Sequence, residues 1–202
     1  MKTIIFDIDG TIFDTKAGII NCLNDVLMSY GKPQISTEEQ DKYIGPAIKD
    51  SLIKFNDFDE ILAIEATVQY REKYIQKYVN DSKPYLGLEC LLQNLKNKKY
   101  ILCIATMKTR NQVDQLLKIF GMTEFFDNIE TARYEGGYTK FDMLESIKSK
   151  YSGSEFVFVG DTNGDYKASV KAGIPFVYAN YGYGDLKDID GIIVNSLEEI
   201  IM

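Results

Sequence analysis

Short apolar runs alternate with helical patterns along most of this chain, and this alternation restricts the fold. Four runs of four or five residues are β-favouring and bounded by polar residues or glycine, which is typical of buried strands. Between them, apolar residues recur at helical spacing. Such alternation predicts an α/β fold with a parallel, doubly wound sheet. The strands are predicted at residues 3–6, 101–105, 156–159 and 176–179, with a weaker candidate at 192–194.

One block of the chain, residues 15–81, breaks this alternation. It carries helical patterns only, and the longest predicts a helix over about residues 59–79. Because the block follows the first strand directly, we predict that it forms a small, all-helical cap domain. The α/β core is then discontinuous and consists of residues 1–14 and 82–202. The apolar stripe of the long helix is predicted to contain Ile61, Ile64, Val68, Ile75 and Tyr78.

The composition excludes several kinds of site and partner. The chain has no histidine, so Ser-His-Asp and Cys-His nucleophilic sites, His-bearing zinc sites and an imidazole general base are excluded. A formal charge of -7 argues against a nucleic-acid partner. The first apolar run is very short and is interrupted by Asp7, so we expect no signal peptide, no membrane partner and a cytoplasmic location. Cys22, Cys90 and Cys103 are widely spaced and are predicted to be reduced core residues.

Polar side chains stand at the predicted carboxyl ends of strands, where ligands bind in open α/β sheets. Asp7 and Asp9 follow the first strand and, being two residues apart, point to the same side. Asp161 ends another strand, and carboxylates this close need a cation or a proton between them. We predict Mg²⁺ as that cation, since it prefers oxygen ligands. An aspartate can attack phosphorus, while Lys140 and the Thr106 hydroxyl could bind the phosphoryl group.

Four ordered motifs in this chain resemble those of the haloacid dehalogenase-like hydrolase superfamily. They are DIDGT at 7–11, Thr106, Lys140 and GDTNGD at 160–165. The helical block resembles the cap of that superfamily, and the resemblance, which covers nearly the whole chain, implies a Rossmann-like core. The segments YREKY, YLGLECLLQNLK, IATMK and YGYGD look most like the phosphoglycolate phosphatase-like branch. The resemblance thus implies a Mg²⁺-dependent phosphatase that hydrolyses a small phosphomonoester through an aspartyl-phosphate intermediate.

The resemblance also implies a role for each motif residue. Asp7 attacks phosphorus, and Asp9 protonates the leaving oxygen and then deprotonates the hydrolytic water. Thr106 and Lys140 hold the phosphoryl oxygens, although Lys140 is followed by Phe141 where relatives often have proline. The implied metal site consists of Asp7, Asp9 (through its backbone carbonyl), Asp161 and Asp165 (directly or by orienting other ligands).

Further residues are expected to contact the substrate because they lie beside the motifs or in the cap. The loop around Gly45 resembles the substrate-facing loop of the cap, and Lys49 and Arg71 could bind a carboxylate or a second anion. A plain helix–helix turn for the loop, and solvated charges for Lys49 and Arg71, remain open alternatives. The residues expected at the phosphate beside the first two motifs are Gly10, Thr11, Met107 and Lys108.

Two other functions remain open on the sequence alone. A β-phosphoglucomutase-like phosphosugar mutase has the same acidic pair and a similar cap. A non-catalytic, phospho-accepting signalling or binding module also has acids at strand ends, although the helical block and the DxD spacing argue against it. As the partner we expect a small phosphorylated metabolite, and we expect the protein to be a monomer or a homodimer.

Overall fold

A parallel sheet lies at the centre of the molecule. This computed structural model describes residues 1–133 and 137–200. The strands in these ranges are β1 (Lys2–Phe6), β2 (Phe13–Asp14), β3 (Lys83–Pro84), β4 (Ile101–Thr109), β5 (Asn128–Ala132), β6 (Glu155–Gly160), β7 (Phe176–Ala179) and β8 (Ile192–Val194). Six of these described strands form the sheet in the order β5–β4–β1–β6–β7–β8, with every neighbouring pair parallel.

Helices cover both faces of this sheet. Alternate residues of β1 point to opposite faces. Ile4 therefore packs in one core with residues 88–97 and 110–119, and Ile5 packs in another with residues 140–150 and 163–172. This confirms the predicted doubly wound α/β architecture. The α-helices are α1 (Lys16–Ser29), α2 (Ile48–Asn56), α3 (Glu60–Lys73), α4 (Leu88–Asn97), α5 (Arg110–Ile119), α6 (Lys140–Lys150) and α7 (Asn163–Ala172).

Residues 15–81, here called the helical block, contain α1, α2 and α3. The strands β2 and β3 flank the block and pair in an antiparallel ribbon, with Phe13 opposite Pro84 and Asp14 opposite Lys83. The chain therefore enters and leaves the block through one ribbon, at the predicted limits of the cap domain. The shorter helical segments of the block are the 3₁₀ helices Thr37–Tyr43 and Val79–Asp81 and the π-helical turn Tyr74–Tyr78.

The helix α3 buries a different face from the one predicted. Ala63 and Tyr70 are buried, whereas the exposed fractions of Ile61, Ile64 and Val68 are 72%, 49% and 44%. The predicted stripe is wrong at these three positions, because small and aromatic side chains fill the space between α3 and its neighbours. The bulky aliphatic side chains stay outside this packing and remain partly exposed.

Three further features differ from the sequence predictions. The edge strand β5 was not predicted, because its five residues are all half-buried and form no continuous apolar run. The strand β4 continues to Thr109, with a register shift between Thr106 and Thr109. Cys90 is exposed, whereas Cys22 and Cys103 are buried as predicted.

Within the described ranges, every helix is too short or too polar to cross a membrane.

Candidate active site

The first acidic motif lies at the carboxyl end of β1. The backbone N–H of Asp7 donates a hydrogen bond to the carbonyl of Val159 on β6 at 2.9 Å, which fixes Asp7 at the edge of the sheet. Gly10 has a φ of 74°, and a Cβ atom at this position would collide with the carboxylate of Asp161. The turn therefore requires glycine for its backbone conformation and for space.

Three carboxylates from two strand ends converge next to this turn. Asp7, Asp161 and Asp165 each place one oxygen within 4.8 Å of the others, and all three residues are buried. Asp161 directly follows β6. Asp165 lies in the first turn of α7, where it accepts a hydrogen bond from the Thr162 hydroxyl at 2.6 Å as part of a capping box. The sheet and the helix start thus bring the predicted metal ligands together, except for the side chain of Asp9.

The electrostatics of these three carboxylates suit a bound cation. Burial raises the pKa of Asp7 to about 7, against the opposing effect of Lys140 and with added repulsion from Asp165 and Asp9. Burial, followed by repulsion from Asp165 and Asp7, raises the pKa of Asp161 well above its usual range. Asp7 Oδ1 is buried, and its close partner among the described residues is the Lys140 ammonium. This donor set fits a hard divalent cation such as Mg²⁺.

Lys140 reaches the carboxylates from the first turn of α6. Its ammonium lies 2.7 Å from Asp7 Oδ1 and 2.9 Å from Asp165 Oδ1, and it donates a hydrogen bond to the Ala105 carbonyl at 3.1 Å. A capping box fixes the helix start. Burial opposes the charge of this ammonium, but Asp165 and Asp7 outweigh it and raise the pKa of Lys140. The side chain is therefore a fixed positive charge beside Asp7.

Asp9 has a different set of partners. Its Oδ1 accepts a hydrogen bond from the Thr15 hydroxyl at 2.5 Å and lies 2.7 Å from the ammonium of Lys108. The same ammonium lies 4.6 Å from the centre of the Tyr74 ring, in the helical block. Lys108 therefore has a contact with Asp9 that the sequence did not indicate, and its role at the phosphate stays a prediction.

The hydroxyl groups of the first two motifs lie in the same region. Thr11 Oγ1 donates a hydrogen bond to Asp161 Oδ1 at 3.2 Å. Thr106 is fully buried, and its hydroxyl accepts a hydrogen bond from the backbone N–H of Lys108 at 3.3 Å. The Thr11 hydroxyl therefore contacts the acidic cluster directly, whereas the Thr106 hydroxyl contacts the backbone of Lys108.

A cavity of about 640 Å³ lies between the helical block and the core. Met107 and Lys140 line it from the core, and Lys49 and Arg71 line it from the block. Lys49 also forms an ion pair with Glu60 at 3.3 Å. The structure therefore brings the two predicted cap cations to the same cavity as Lys140.

The loop at Gly45 lies over the fourth motif. Gly45 has a φ of 100°, and a Cβ atom there would lie 2.9 Å from Thr162 Cγ2. Glycine thus allows the loop to approach the start of α7 closely. Gly45 also lines a smaller cavity of about 40 Å³ together with Asp9. This position is consistent with the predicted substrate-facing loop.

Comparison with known protein families identifies the family of this chain. The sequence model described as haloacid dehalogenase-like hydrolase matches residues 4–179. The chain belongs to the haloacid dehalogenase-like hydrolases. A solved structure of a predicted phosphatase from Clostridium acetobutylicum, a similar protein, has a TM-score of 0.90 and 28% identity, and the match covers 98% of this chain and 95% of that one.

Two relatives of this haloacid dehalogenase-like hydrolase carry different names. The chain is 28% identical over 193 residues to the phosphoglycolate phosphatase of Aquifex aeolicus, covering 91% of this chain and 86% of the relative. It is also 28% identical over 192 residues to the tyrosine-protein kinase PtkA of Mycobacterium tuberculosis. That match covers 94% of this chain, which spans 65% of the length of PtkA.

The sequence did not identify three residues around the site of this hydrolase. Thr15 holds Asp9, as described above. Tyr183 donates its backbone N–H to Asp161 Oδ2 at 2.8 Å, and its hydroxyl accepts a hydrogen bond from the backbone N–H of Thr15 at 2.8 Å. Gln112 lines the large cavity. Signals in the sequence could have found two of them: Tyr183 is an aromatic residue between two glycines beyond β7, and Gln112 ends the T-x-x-Q capping pattern that starts at Thr109.

Proposed function

We propose that this chain is a magnesium-dependent phosphatase that hydrolyses a small phosphomonoester through an aspartyl-phosphate intermediate. The observation that carries this proposal is a buried cluster of carboxylates. Asp7, Asp161 and Asp165 lie close together, and the Lys140 ammonium contacts Asp7 and Asp165. The set combines a nucleophilic carboxylate, oxygen ligands for a cation and a fixed positive charge, which together suit hydrolysis of a phosphate ester. The relative named phosphoglycolate phosphatase and the solved structure of a predicted phosphatase support this activity.

In the proposed reaction, the carboxylate of Asp7 attacks phosphorus, and the bond between phosphorus and the leaving oxygen breaks. Asp9 gives its proton to the leaving oxygen, so the leaving group departs as an alcohol. Asp9, now ionised, takes a proton from a water molecule as that water attacks the phosphorus of the aspartyl phosphate. Inorganic phosphate is released, Asp7 returns as a carboxylate and Asp9 as an acid. The contacts of Asp9 with Thr15 and Lys108 hold it for both proton transfers.

The side chains of Asp7, Asp161 and Asp165 would hold Mg²⁺, together with the backbone carbonyl of Asp9. When bound, Mg²⁺ stabilises negative charge on the phosphoryl oxygens. Lys140 adds a second positive charge, and the Thr106 hydroxyl adds a hydrogen bond. Because the chain carries a formal charge of -7, an anionic substrate has to be attracted by such local positive charges.

We further propose that the helical block, residues 15–81, is a cap domain over this site, and that residues 1–14 and 82–202 form the core. The ribbon of β2 and β3 supports this division, because both connections between the two parts pass through it. Gly10 and Thr11 lead directly into the ribbon, so a movement of the block would shift the backbone of the acidic motif. Closure of a cap would exclude water from the reaction.

We propose a cytoplasmic location, a small phosphorylated metabolite as the partner, and a monomeric or homodimeric state. Neither nucleic acid nor a membrane is proposed as a partner, and the formal charge of -7 supports the first of these exclusions.

Hydrolysis of p-nitrophenyl phosphate tests the proposed reaction. We expect phosphate release to require Mg²⁺, to stop with EDTA and to be abolished in Asp7→Asn, because an amide does not form the acyl phosphate. The matched control is Asp114→Asn, which alters an exposed aspartate on α5 and should retain full activity. An active Asp7→Asn enzyme, free of wild-type contamination, would contradict the proposal.

Analysis of intermediates and products separates the alternatives. Mass spectrometry after acid quenching should find a phosphoryl group on the peptide that contains Asp7. Isomerisation of a hexose 1-phosphate without net release of phosphate would favour the mutase instead. A long-lived phosphoprotein that does not turn over would favour the non-catalytic module.

A further inference from the structure

The cavity between the helical block and the core is larger than a phosphate group requires. Its volume of about 640 Å³ falls within the roughly 300–1,000 Å³ typical of sites for drug-sized ligands. The smaller cavity lined by Asp9 shares Ile48, Tyr70, Met107 and Gln112 with the large one. The large cavity thus adjoins the small cavity that is lined by Asp9, the residue proposed to protonate the leaving oxygen, and it is placed to receive the leaving group.

The walls of this cavity are largely apolar. Ile64 and Val68 on α3 line it from the helical block, and they are the side chains left half-exposed by the packing of that helix. Met107 and Ala132 line it from the strand side. A polyhydroxylated leaving group, such as a hexose, would place hydroxyl groups against these walls without hydrogen-bond partners. The walls therefore favour a leaving group with a flat, apolar body.

Gln112 adds one specific polar contact to the cavity. Its exposed fraction is 3%, and its Oε1 accepts hydrogen bonds from the backbone N–H and the hydroxyl of Thr109 at 2.9 and 3.1 Å. These bonds fix which end of the amide is which. The buried Nε2 group donates no hydrogen bond to any described residue. A buried donor without a partner is destabilising, so an oxygen acceptor on a ligand would be stabilising here.

The charges around the cavity favour an anionic ligand with an aromatic ring. Asp50 is the acidic residue among the described residues that line it. The guanidinium of Arg133 lies 4.0 Å from the centre of the Tyr138 ring, so one wall presents a stacked cation and aromatic ring. The cationic lining residues are Lys49, Arg71, Arg133 and Lys140.

We propose that the substrates of this site are nucleoside 5′-monophosphates, an inference that rests on the proposed phosphatase function. The phosphate would bind at Lys140, and the base would lie against Ile64 and Val68. A ribose oxygen would accept from Gln112 Nε2 once binding displaces the neighbouring atoms that bury this group. An aryl phosphate has only ring carbons next to its ester oxygen and offers Gln112 no acceptor. A two-carbon acid or inorganic pyrophosphate would leave most of the apolar cavity unfilled.

Steady-state kinetics on a defined panel test this proposal. The panel contains AMP, GMP, CMP, UMP, 2-phosphoglycolate, inorganic pyrophosphate, glucose 6-phosphate and phosphotyrosine, each with Mg²⁺. We expect kcat/KM for at least one nucleotide to exceed that of every other compound by about ten-fold or more. A preference for 2-phosphoglycolate, pyrophosphate, glucose 6-phosphate or phosphotyrosine would overturn the proposal.

Two variants link such a preference to the cavity. Val68→Trp should fill part of it and lower the ratio of kcat/KM for the best nucleotide to that for p-nitrophenyl phosphate by about ten-fold. The matched control is Ile61→Trp, on the same helix but outside the lining, which should leave the ratio unchanged. Gln112→Glu keeps the oxygen that accepts from Thr109 but removes the donor, so it should lower the same ratio without a loss of thermal stability.

A binding experiment separates this proposal from the proposed reaction. If no phosphomonoester in the panel is hydrolysed, the proposed reaction fails, but calorimetry still decides the substrate class. Saturable binding of AMP or UMP to the Asp7→Asn protein with Mg²⁺, weakened by Val68→Trp and unaffected by Ile61→Trp, supports the proposal. Absence of binding, or binding that Val68→Trp does not weaken, would overturn it.

Discussion

The ammonium of Lys108 lies 2.7 Å from Asp9 Oδ1, and both residues are buried. The hydroxyl of Thr15 donates to the same oxygen, and the ring of Tyr74 lies 4.6 Å from the ammonium. Thr15 and Tyr74 belong to the helical block, whereas Lys108 belongs to β4. Asp9, the proposed acid and base, is therefore in contact with both the helical block and the core. Its position depends on how the block packs on the core.

Replacement of Lys108 distinguishes a role in positioning Asp9 from a role at the phosphate. In Lys108→Met, we expect kcat to fall by about 10- to 100-fold with little change in KM, because the orientation of Asp9 is lost while the phosphoryl contacts remain. Steady-state kinetics with p-nitrophenyl phosphate measure both parameters. A higher KM with unchanged kcat would instead support the sequence prediction that Lys108 binds the substrate.

Tyr183 connects the loop after β7 to the start of the helical block. Its hydroxyl accepts hydrogen bonds from the backbone N–H groups of Thr15 and Lys16 at 2.8 and 3.0 Å and donates to Asp14 Oδ1 at 2.7 Å. Tyr183→Phe leaves the Thr15 N–H without its acceptor, whereas the Lys16 N–H keeps its hydrogen bond to Asp14 Oδ1 at 3.3 Å. We therefore expect the free energy of unfolding in urea to fall by about 1–3 kcal/mol.

Tyr166→Phe is the control for that measurement. The Tyr166 hydroxyl accepts a single exposed hydrogen bond, from the backbone N–H of Asp190 at 3.1 Å. Water can replace this partner, so the loss should stay below about 1 kcal/mol. An equal decrease in the free energy of unfolding of the two variants would show that the Tyr183 contacts stabilise the fold no more than an exposed hydrogen bond does.

The sequence predicts much of the candidate site because the fold brings strand ends together. In a parallel sheet, the carboxyl ends of β1, β4 and β6 lie at one edge, so residues far apart in sequence, such as Asp7 and Asp161, meet there. The short spacing within each motif and the position of each motif after an apolar run are enough to predict this. Lys140 lies beside the same edge because it starts the helix after β5.

Other contacts depend on packing that a local pattern does not encode. Ile64 and Val68 occur at helical spacing, but the same spacing describes a helix face that packs in a core and one that lines a cavity. Which face is buried depends on the neighbours, and here the smaller Ala63 faces inward. Two partners of the Tyr183 hydroxyl are backbone N–H groups that any residue could supply, so the residue types at positions 15 and 16 do not indicate these contacts.

The raised pKa of Asp7 predicts how stability depends on pH without a metal ion. Since the folded state holds its proton up to a pH of about 7, whereas the unfolded chain releases it near 3.8, the free energy of unfolding should fall as pH rises between these values. Urea unfolding at pH 5 and pH 8, with EDTA or with Mg²⁺, measures this. We expect Mg²⁺ to stabilise the protein more at pH 8, because it binds the ionised carboxylates.

Asp7→Asn provides the comparison for this pH effect. The amide carries no charge to bury, so the variant should lose less stability between pH 5 and pH 8 than the natural protein does in EDTA. At pH 8 it should then be the more stable of the two, by an amount on the order of a few kcal/mol. The same loss in both proteins would show that Asp7 does not cause it.

Replacement of Lys140 tests which lysine serves the phosphoryl group. Its ammonium lies between Asp7 and Asp165, whereas Lys148, on the same helix, contacts Glu145 and the Ala172 carbonyl away from the carboxylates. We expect Lys140→Met to lower kcat by about 100- to 1,000-fold.

The Lys140→Met protein should still bind Mg²⁺ at least as tightly as the natural protein does, because a competing positive charge is removed. Kinetics and calorimetric titration with Mg²⁺ measure the two effects, and Lys148→Met, the matched control, should change neither. Loss of Mg²⁺ binding in Lys140→Met would mean that the lysine organises the carboxylates rather than serving the phosphoryl group.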